Sequence, residues 1–289
     1  MESKPTHTRS GMVTIVGRSN VGKSTLVNAL VGQKMAIVTP KPQTTRDIIS
    51  GIINDERGQI VIMDTPGFFL DGSDMLSKAL RSRVEYSIKD VDVILYVVDP
   101  TRSIGNEERR LVALLRETKT PIILVINKID LDADKRPYAP DYKDLFEDAV
   151  ATIEISALNQ KHLKTLVGEI FKQLPEAEPL YPADAQLRDE RHYAAEVIRE
   201  KIFHTLSDEL PYGVTVVVDS IENKPALVVI KARILTNTDR HKKMIIGTGA
   251  RKLKEMGSSA RKELEAYANK KVFLDIEVAV DPNWMADLM

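Results

Sequence analysis

A glycine-rich loop between an apolar strand and a helix constrains this chain more than any other feature. Residues 17–24 read Gly-Arg-Ser-Asn-Val-Gly-Lys-Ser, a complete G-x-x-x-x-G-K-S motif. The apolar run Met12–Val16 precedes the loop, and Val21–Leu30 carries apolar residues near helical spacing. Glycine lets the backbone wrap closely around phosphate groups, with successive N–H groups pointing inward at the positive end of a helix. The order of strand, loop and helix therefore predicts a phosphate-binding loop in an α/β domain.

Each part of this loop has an expected role toward a nucleotide. The ammonium group of Lys23 lies near the β- and γ-phosphates in such loops, and the hydroxyl of Ser24 is a ligand for Mg²⁺. An ordinary glycine turn with an exposed lysine is the alternative, and the flanking strand and helix argue against it. The predicted nucleotide-binding residues of the loop are Gly17, Ser19, Asn20, Val21, Gly22, Lys23, Ser24 and Thr25.

Further apolar runs, most of them separated by helical stretches, extend to about residue 155. The runs are Ile48–Ile53, Gln59–Met63, Val93–Val98, Ile122–Ile126 and Thr152–Ile155. Alternating strands and helices predict a mostly parallel sheet flanked by helices, and ligand loops lie at the carboxyl ends of such strands. The chemistry of the chain is expected at those ends.

One strand end carries the sequence Asp64-Thr65-Pro66-Gly67. The carboxylate of Asp64 can hold Mg²⁺ through water, and the N–H of Gly67 can sense the γ-phosphate. Between the first helix and the second strand, Pro40–Arg46 contains two adjacent threonines. A hydroxyl there completes the Mg²⁺ shell only when the γ-phosphate is present. We expect Thr45 to supply it, with Thr44 as the alternative.

Two later strand ends predict recognition of guanine. Asn127, Lys128, Ile129 and Asp130 form an N-K-x-D motif. The carboxylate of Asp130 can accept two hydrogen bonds from guanine that adenine cannot supply, while the asparagine and lysine brace the base and the phosphate loop. Ser156-Ala157-Leu158 follows the last strand, and the N–H of Ala157 is expected to meet guanine O6.

These elements, in their order and spacing, resemble the translation-factor-like GTPases and more narrowly the Era family. The matching motifs are G-R-S-N-V-G-K-S-T-L, Q-T-T-R, D-T-P-G, N-K-x-D and S-A-L. The resemblance covers nearly the whole chain and implies Mg²⁺-dependent hydrolysis of GTP to GDP and phosphate. The residues expected to act in hydrolysis are Lys23, Thr45, Gly67 and Asn20, and the expected metal ligands are Ser24, Thr45 and Asp64.

The mechanism implied by the resemblance departs from the Ras-like pattern. Phe68 stands where a glutamine positions the attacking water, and phenylalanine can neither donate nor accept a hydrogen bond. Families with an apolar residue there resemble the potassium-stimulated GTPases, which implies that Asn20 ligates K⁺ beside the phosphates. The alternative is that Asn20 only hydrogen-bonds its own loop. We interpret Arg18 and Arg46 as solvated arginines and not as catalytic groups.

A second domain follows a proline-rich stretch. After the helix Leu163–Leu174, residues 175–182 contain three prolines and two glutamates, which predicts a linker. The later elements have the order αββααβ of a type II KH module. They are Arg191–Leu206, Val214–Ile221, Ala226–Leu235, Asp239–Ile246, a helix to Ala268 and Val272–Val280. We therefore predict a flexible N-terminus (1–11), a GTPase domain (12–174), a linker (175–190) and a KH domain with its tail (191–289).

The KH pattern includes a G-x-x-G turn between two helices, which clamps single-stranded nucleic acid because absent side chains let phosphates approach. Here Gly247, Thr248, Gly249 and Ala250 occupy it, so alanine replaces the second glycine. Segment 239–271 carries a charge of +6, although the whole chain carries −1. A cationic segment of this kind suggests a polyanionic partner. The predicted RNA-binding residues are Lys242, Lys243, Gly247, Thr248, Gly249, Ala250, Arg251 and Lys252.

Taken with the resemblance, these features predict a GTPase that binds the 3′ region of small-subunit ribosomal RNA and acts in assembly of the small ribosomal subunit. The alternative is a signalling GTPase whose second domain docks on a protein or a membrane. The polar first eleven residues, the absence of long apolar runs and the absence of cysteine fit a cytoplasmic chain. We expect a monomer, and the sequence leaves open a peripheral contact with the inner face of the cell membrane.

Overall fold

The computed structural model describes residues 8–32, 49–67, 82–183, 185, 189–206 and 210–285. These residues divide into two compact units, here called the first unit (up to residue 185) and the second unit (from residue 189). The predicted switch loop Pro40–Arg46, with Thr44 and Thr45, lies outside the described residues, and so does Phe68.

The first unit is built on a six-stranded sheet with the strand order β2-β3-β1-β4-β5-β6. All neighbouring strands run parallel except β2, which runs antiparallel to β3. This arrangement confirms the predicted α/β class. The strands are β1 (Arg9–Val16), β2 (Ile49–Asp55), β3 (Gly58–Asp64), β4 (Val93–Val98), β5 (Ile122–Ile126) and β6 (Ala151–Glu154). The helices are α1 (Lys23–Val31), residues 82–87, α2 (Asn106–Arg116), a 3-10 turn (Ala133–Lys135), α3 (Ala139–Leu145) and α4 (Leu163–Gln173).

The two faces of the sheet carry separate apolar layers, because successive side chains of a strand point to opposite faces. On one face, Leu95 of β4 packs with residues of α1 and α4. On the other face, Tyr96 packs with residues of α2 and with Val84. Both faces of β4 and β5 are covered, which explains why these strands read as unbroken apolar runs.

Strand β1 begins at Arg9, inside the segment 1–11 that we expected to be flexible. Its first residues belong to the sheet because Arg9, Ser10 and Gly11 pair in parallel with residues 58–60 of β3. The expected linker is also fastened to the first unit in its first half. The side chain of Gln59 accepts a hydrogen bond from the N–H of Tyr181 and donates one to its carbonyl, both at 2.9 Å.

The second unit has the element order αββααβ, as predicted for the KH module. Its three-stranded sheet has the order β7-β8-β9, with β7 antiparallel and β9 parallel to β8. The helices pack on this sheet around one apolar core that includes Val197, Ile234, Ile245 and Met256. The elements are α5 (Glu190–Thr205), β7 (Val214–Asn223), β8 (Leu227–Thr236), α6 (Asp239–Ile246), α7 (Arg251–Ala268) and β9 (Lys271–Val280). Within the described ranges, every helix is too short or too polar to cross a membrane.

Candidate functional site

The phosphate loop lies between β1 and α1, as the sequence predicts, and close packing explains its two glycines. A β-carbon on Gly17 would lie 2.2 Å from the carbonyl oxygen of Val97. Gly22 has a φ of 101°, and a β-carbon there would lie 2.3 Å from Nδ2 of Asn127. Any larger residue at these two positions would displace the loop from its neighbours.

Lys23 is buried against the loop that precedes it. Its ammonium group donates to the carbonyl oxygen of Gly17 at 3.1 Å and to that of Arg18 at 2.9 Å. Burial lowers the pKa of Lys23 to about 8, because desolvation disfavours the charged form more than the nearby carboxylate of Asp64 favours it. The buried ammonium group of Lys23 therefore lies next to the loop, where a bound anion would favour its charged form.

Two of the three predicted metal ligands, Ser24 and Asp64, come together at the start of α1. The hydroxyl of Ser24 donates to Oδ2 of Asp64 at 2.7 Å, and Asp64 is fully buried at the end of β3. Hydroxyl and carboxylate oxygens are the hard donors that Mg²⁺ prefers, so this pair fits the ion. Thr65 fixes the turn that follows, since its hydroxyl donates to the carbonyl oxygen of Ile15 at 2.6 Å.

The turn 64–67 also contacts the phosphate loop directly. A β-carbon on Gly67 would lie 2.7 Å from Cα and 2.9 Å from the backbone nitrogen of Ser19. The backbones of Gly67 and Ser19 are therefore in contact, and only glycine allows this approach. The neighbouring Asn20 is exposed at the outside of the loop and has a φ of 64°.

Asn127 joins the phosphate loop to the last strand-end loop. Its Nδ2 donates to the carbonyl oxygen of Val21 at 2.9 Å, and its Oδ1 accepts the N–H of Ala157 at 2.9 Å. The sequence analysis predicted that Asn127 braces the phosphate loop, and its hydrogen bond to Val21 is such a contact. We expected the N–H of Ala157 to meet guanine O6, and in this structure it donates to Asn127, so guanine would have to share it.

The side chain of Asp130 is oriented by Ser156. The hydroxyl of Ser156 donates to Oδ1 of Asp130 at 2.5 Å and accepts the N–H of Asn159 at 3.0 Å. Asp130 is exposed, and the predicted guanine-contacting residue Leu158 is 72 % exposed. Sequence reasoning identified the position of Ser156 but missed this orienting role.

Lys128 makes a contact that the sequence did not predict. Its ammonium group pairs with Oδ2 of Asp99 at 2.5 Å, whereas we expected Asn127 and Lys128 together to brace the base and the phosphate loop. Asp99 is buried directly after β4. In the sequence, the position of Asp99 at the carboxyl end of a predicted parallel strand was the only indication that it belongs to the site.

The sequence analysis also missed charged residues that contact the phosphate loop. Arg18 forms ion pairs with Glu107 and with Glu108, the latter at 3.1 Å. Arg18 is therefore half-buried and ion-paired, and our interpretation of it as a solvated arginine was wrong. Arg102 donates from Nη1 to the carbonyl oxygen of Ser19 at 3.1 Å.

In the second unit, the predicted G-x-x-G turn lies between α6 and α7. Gly247, Gly249 and Ala250 have φ angles of 71°, 59° and 60°. A β-carbon on Gly247 would lie 3.0 Å from Cγ of Lys252, so the stem of this lysine lies across the turn. Thr248 and Gly249 are exposed at the tip of the turn. The basic side chains near it are the half-buried Lys242 and the exposed Lys243, Arg251 and Lys252.

Comparison with known proteins identifies the family. Residues 12–128 match the family model described as 50S ribosome-binding GTPase, and residues 209–285 match that of the KH domain. The chain is 41 % identical to GTPase Era of Thermoanaerobacter sp. (strain X514), over 96 % of its own length and 92 % of the relative. The chain belongs to the Era family of GTPases.

Other Era proteins agree with this assignment. GTPase Era of Clostridioides difficile (strain 630) is 42 % identical, over 96 % of this chain and 94 % of that protein. A point variant of Aquifex aeolicus Era bound to GDP·AlF4⁻ matches the fold with a TM-score of 0.90 at 35 % identity, and each chain is covered to 96 %. Era in complex with MgGDPNP and nucleotides 1506–1542 of 16S ribosomal RNA matches with a TM-score of 0.91, at the same identity and coverage. As an Era GTPase, the chain binds GTP and GDP.

Proposed function

We propose that this Era-family chain hydrolyses GTP with Mg²⁺ and binds the 3′ region of small-subunit ribosomal RNA during assembly of the small subunit, with GTP governing release. The proposal depends on one observation, namely that the chain contains two sites. The first unit has a nucleotide site whose phosphate and base loops are connected by Asn127, and the second unit has a glycine turn flanked by lysine and arginine. The Era relative that holds MgGDPNP together with 16S ribosomal RNA supports the same pairing of activities.

In the nucleotide site, Ser24 and Asp64 would hold Mg²⁺, and Thr45 completes the predicted ligand set. When bound, the ion offsets the negative charge that develops on the phosphate oxygens. The backbone of Gly17–Thr25 surrounds the phosphates, and Lys23 turns its ammonium group from the loop carbonyls toward them. Gly67 senses the γ-phosphate through its N–H, next to Ser19.

Guanine binds between Asn127, Lys128 and Asp130 on one side and Ser156-Ala157-Leu158 on the other. Ser156 donates to one oxygen of Asp130, and this hydrogen bond fixes the plane of the carboxylate. A fixed carboxylate discriminates strongly, because adenine leaves it without donors. Asn20 would hold K⁺ beside the phosphates, and the cation would offset the charge that develops on the bridging oxygen, in place of an arginine finger.

Single-stranded RNA lies along the turn 247–250. Phosphates approach the backbone of Gly247, Thr248, Gly249 and Ala250, while Lys242, Lys243, Arg251 and Lys252 neutralise their charge. We further propose that the protein acts as a cytoplasmic monomer that makes at most a peripheral contact with the inner face of the cell membrane.

Titration with a single-stranded RNA oligonucleotide of the 16S 3′ sequence, in the presence of GDPNP, tests the proposal. Gly247→Asp should abolish RNA binding through bulk and charge, while GTP binding stays intact. Ser258→Asp adds the same charge at an exposed position of α7 and serves as the matched control. Lys252→Ala should flatten the slope of log affinity against log salt by about 0.7, the value for one phosphate contact on a single strand. If Gly247→Asp binds this RNA like the parent, the second unit does not use the turn, and docking on a protein or membrane becomes the better interpretation.

A further inference from the structure

The connection that follows β4, together with the first turn of α2, contacts the phosphate loop. We call residues 99–108 the back segment. Its Arg102 donates to the carbonyl oxygen of Ser19 at 3.1 Å, and its two glutamates, Glu107 and Glu108, pair with Arg18. Two consecutive residues of the phosphate loop are therefore held by one neighbouring segment.

Hydrogen bonds within the first unit make the back segment rigid. The carboxylate of Asp99 accepts the N–H of Thr101 at 3.0 Å and its hydroxyl at 2.7 Å. Glu108 is 3 % exposed, and its Oε2 accepts the N–H of Gly105 at 2.9 Å. The buried hydroxyl of Tyr142 donates to the carbonyl oxygen of Arg102 at 3.2 Å. Buried polar groups that are mutually satisfied hold one geometry, so the guanidinium of Arg102 starts from a fixed backbone.

Ser19 contacts both the back segment and the turn 64–67. Arg102 holds its carbonyl oxygen, while the backbone of Gly67 lies against its Cα. The register between the phosphate loop and the γ-phosphate-sensing turn therefore depends on where Arg102 places Ser19. At the other end of the loop, Asn127 donates to the carbonyl oxygen of Val21 and Ser24 donates to Asp64, while Lys23 donates back to the carbonyl oxygens of Gly17 and Arg18.

We propose that Arg102 is a positioning residue for GTP hydrolysis. It keeps Ser19 and Asn20 in register with Gly67, so that the γ-phosphate is sensed and the attacked phosphorus is correctly placed. Its hydrogen bond reaches the loop at Ser19, whereas α1 begins at Lys23. Because Asp99 of the same back segment pairs with Lys128, the segment links the guanine loop to the phosphate loop. The inference rests on the proposed hydrolysis of GTP.

The test compares Arg102→Ala and Arg102→Lys with the parent chain in full length. A displaced catalytic geometry of about 1 Å can cost up to a hundredfold in rate, and we expect Arg102→Ala to lower kcat about tenfold. Affinity for GDPNP should fall by about threefold, and affinity for GDP should stay within about twofold, because the γ-phosphate alone depends on the register. Arg102→Lys should recover part of kcat, since one ammonium donor can still serve Ser19.

Arg109→Ala removes an exposed arginine of α2, one residue beyond the back segment, and is the matched control, with unchanged kcat. Glu108→Gln is a second variant that keeps the side-chain shape and weakens the hold on Arg18, so it should lower kcat in the same direction. An unchanged kcat in Arg102→Ala would overturn the inference. Equal losses of GDP and GDPNP affinity would also overturn it, because they would indicate general loosening of the site. If the parent chain itself hydrolysed no GTP, the proposed function would fail first and this inference with it.

Discussion

Replacing Ala250 by glycine should stabilise the second unit. Ala250 has φ 60° and ψ 24°, the left-handed conformation that glycine adopts without steric cost. An L-residue with a β-carbon loses roughly 1–2 kcal/mol there. Glycine loses about 0.4–1 kcal/mol more than alanine in unfolded-chain entropy. The difference leaves a gain of about 0.8 kcal/mol in the free energy of unfolding.

Ala266→Gly provides the matched control for this prediction. Ala266 is exposed in the last turns of α7, where glycine costs about 1 kcal/mol relative to alanine. The same substitution should thus act in opposite directions, with the two variants about 2 kcal/mol apart. With a urea m-value of roughly 2 kcal/mol/M, their unfolding midpoints should differ by about 1 M.

Tryptophan fluorescence measures this difference in the full-length chain. The chain has one tryptophan, Trp284, which is 1 % exposed in the second unit, so urea unfolding of that unit changes its emission. GDP is added at saturation to keep the first unit folded. If Ala250→Gly lowers the midpoint as much as Ala266→Gly does, the left-handed conformation at position 250 is refuted. RNA affinity of Ala250→Gly should be equal to or tighter than that of the parent.

Three further predictions concern the nucleotide site. Asp130→Asn should shift the preference from guanine toward xanthine nucleotides, measured by competition binding; equal binding of ATP and GTP by the parent would contradict the assignment of Asp130. Since phosphate favours the charged form of Lys23, whose pKa burial lowers to about 8, GDP affinity should be constant below that pH and fall above it by up to tenfold per pH unit; a flat profile from pH 7 to 9 would refute this, and Lys23→Met should show one. Gly67→Ala should lower kcat at least tenfold in a phosphate-release assay, because its methyl group would collide with Ser19; an unchanged rate would show that the two backbones separate readily.

The sequence predicted those parts of the site that follow strand ends, because parallel strands bring their carboxyl ends to one edge of the sheet. Gly22, Asp64 and Asn127 were expected there, and the structure brings Gly22 next to Asn127 and Asp64 next to Ser24. Arg102 was missed because it lies in a polar loop outside any motif, and the sequence pattern there does not distinguish a contacting arginine from a solvated one. The alanine at position 250 was visible in the sequence, but its positive φ depends on how α6 and α7 meet and could only be seen in the structure.

The contacts of Asn127 have a consequence for how long a nucleotide stays bound. Because this side chain joins Val21 to Ala157, the phosphate-binding loop and the base-binding loop form one connected frame. Among variants of one binding site, association rates vary much less than dissociation rates. Dissociation of GDP requires both the base and the phosphates to leave this connected frame, so its rate should depend on Asn127. Asn127→Ala should therefore shorten the residence time of GDP while leaving its association rate nearly unchanged.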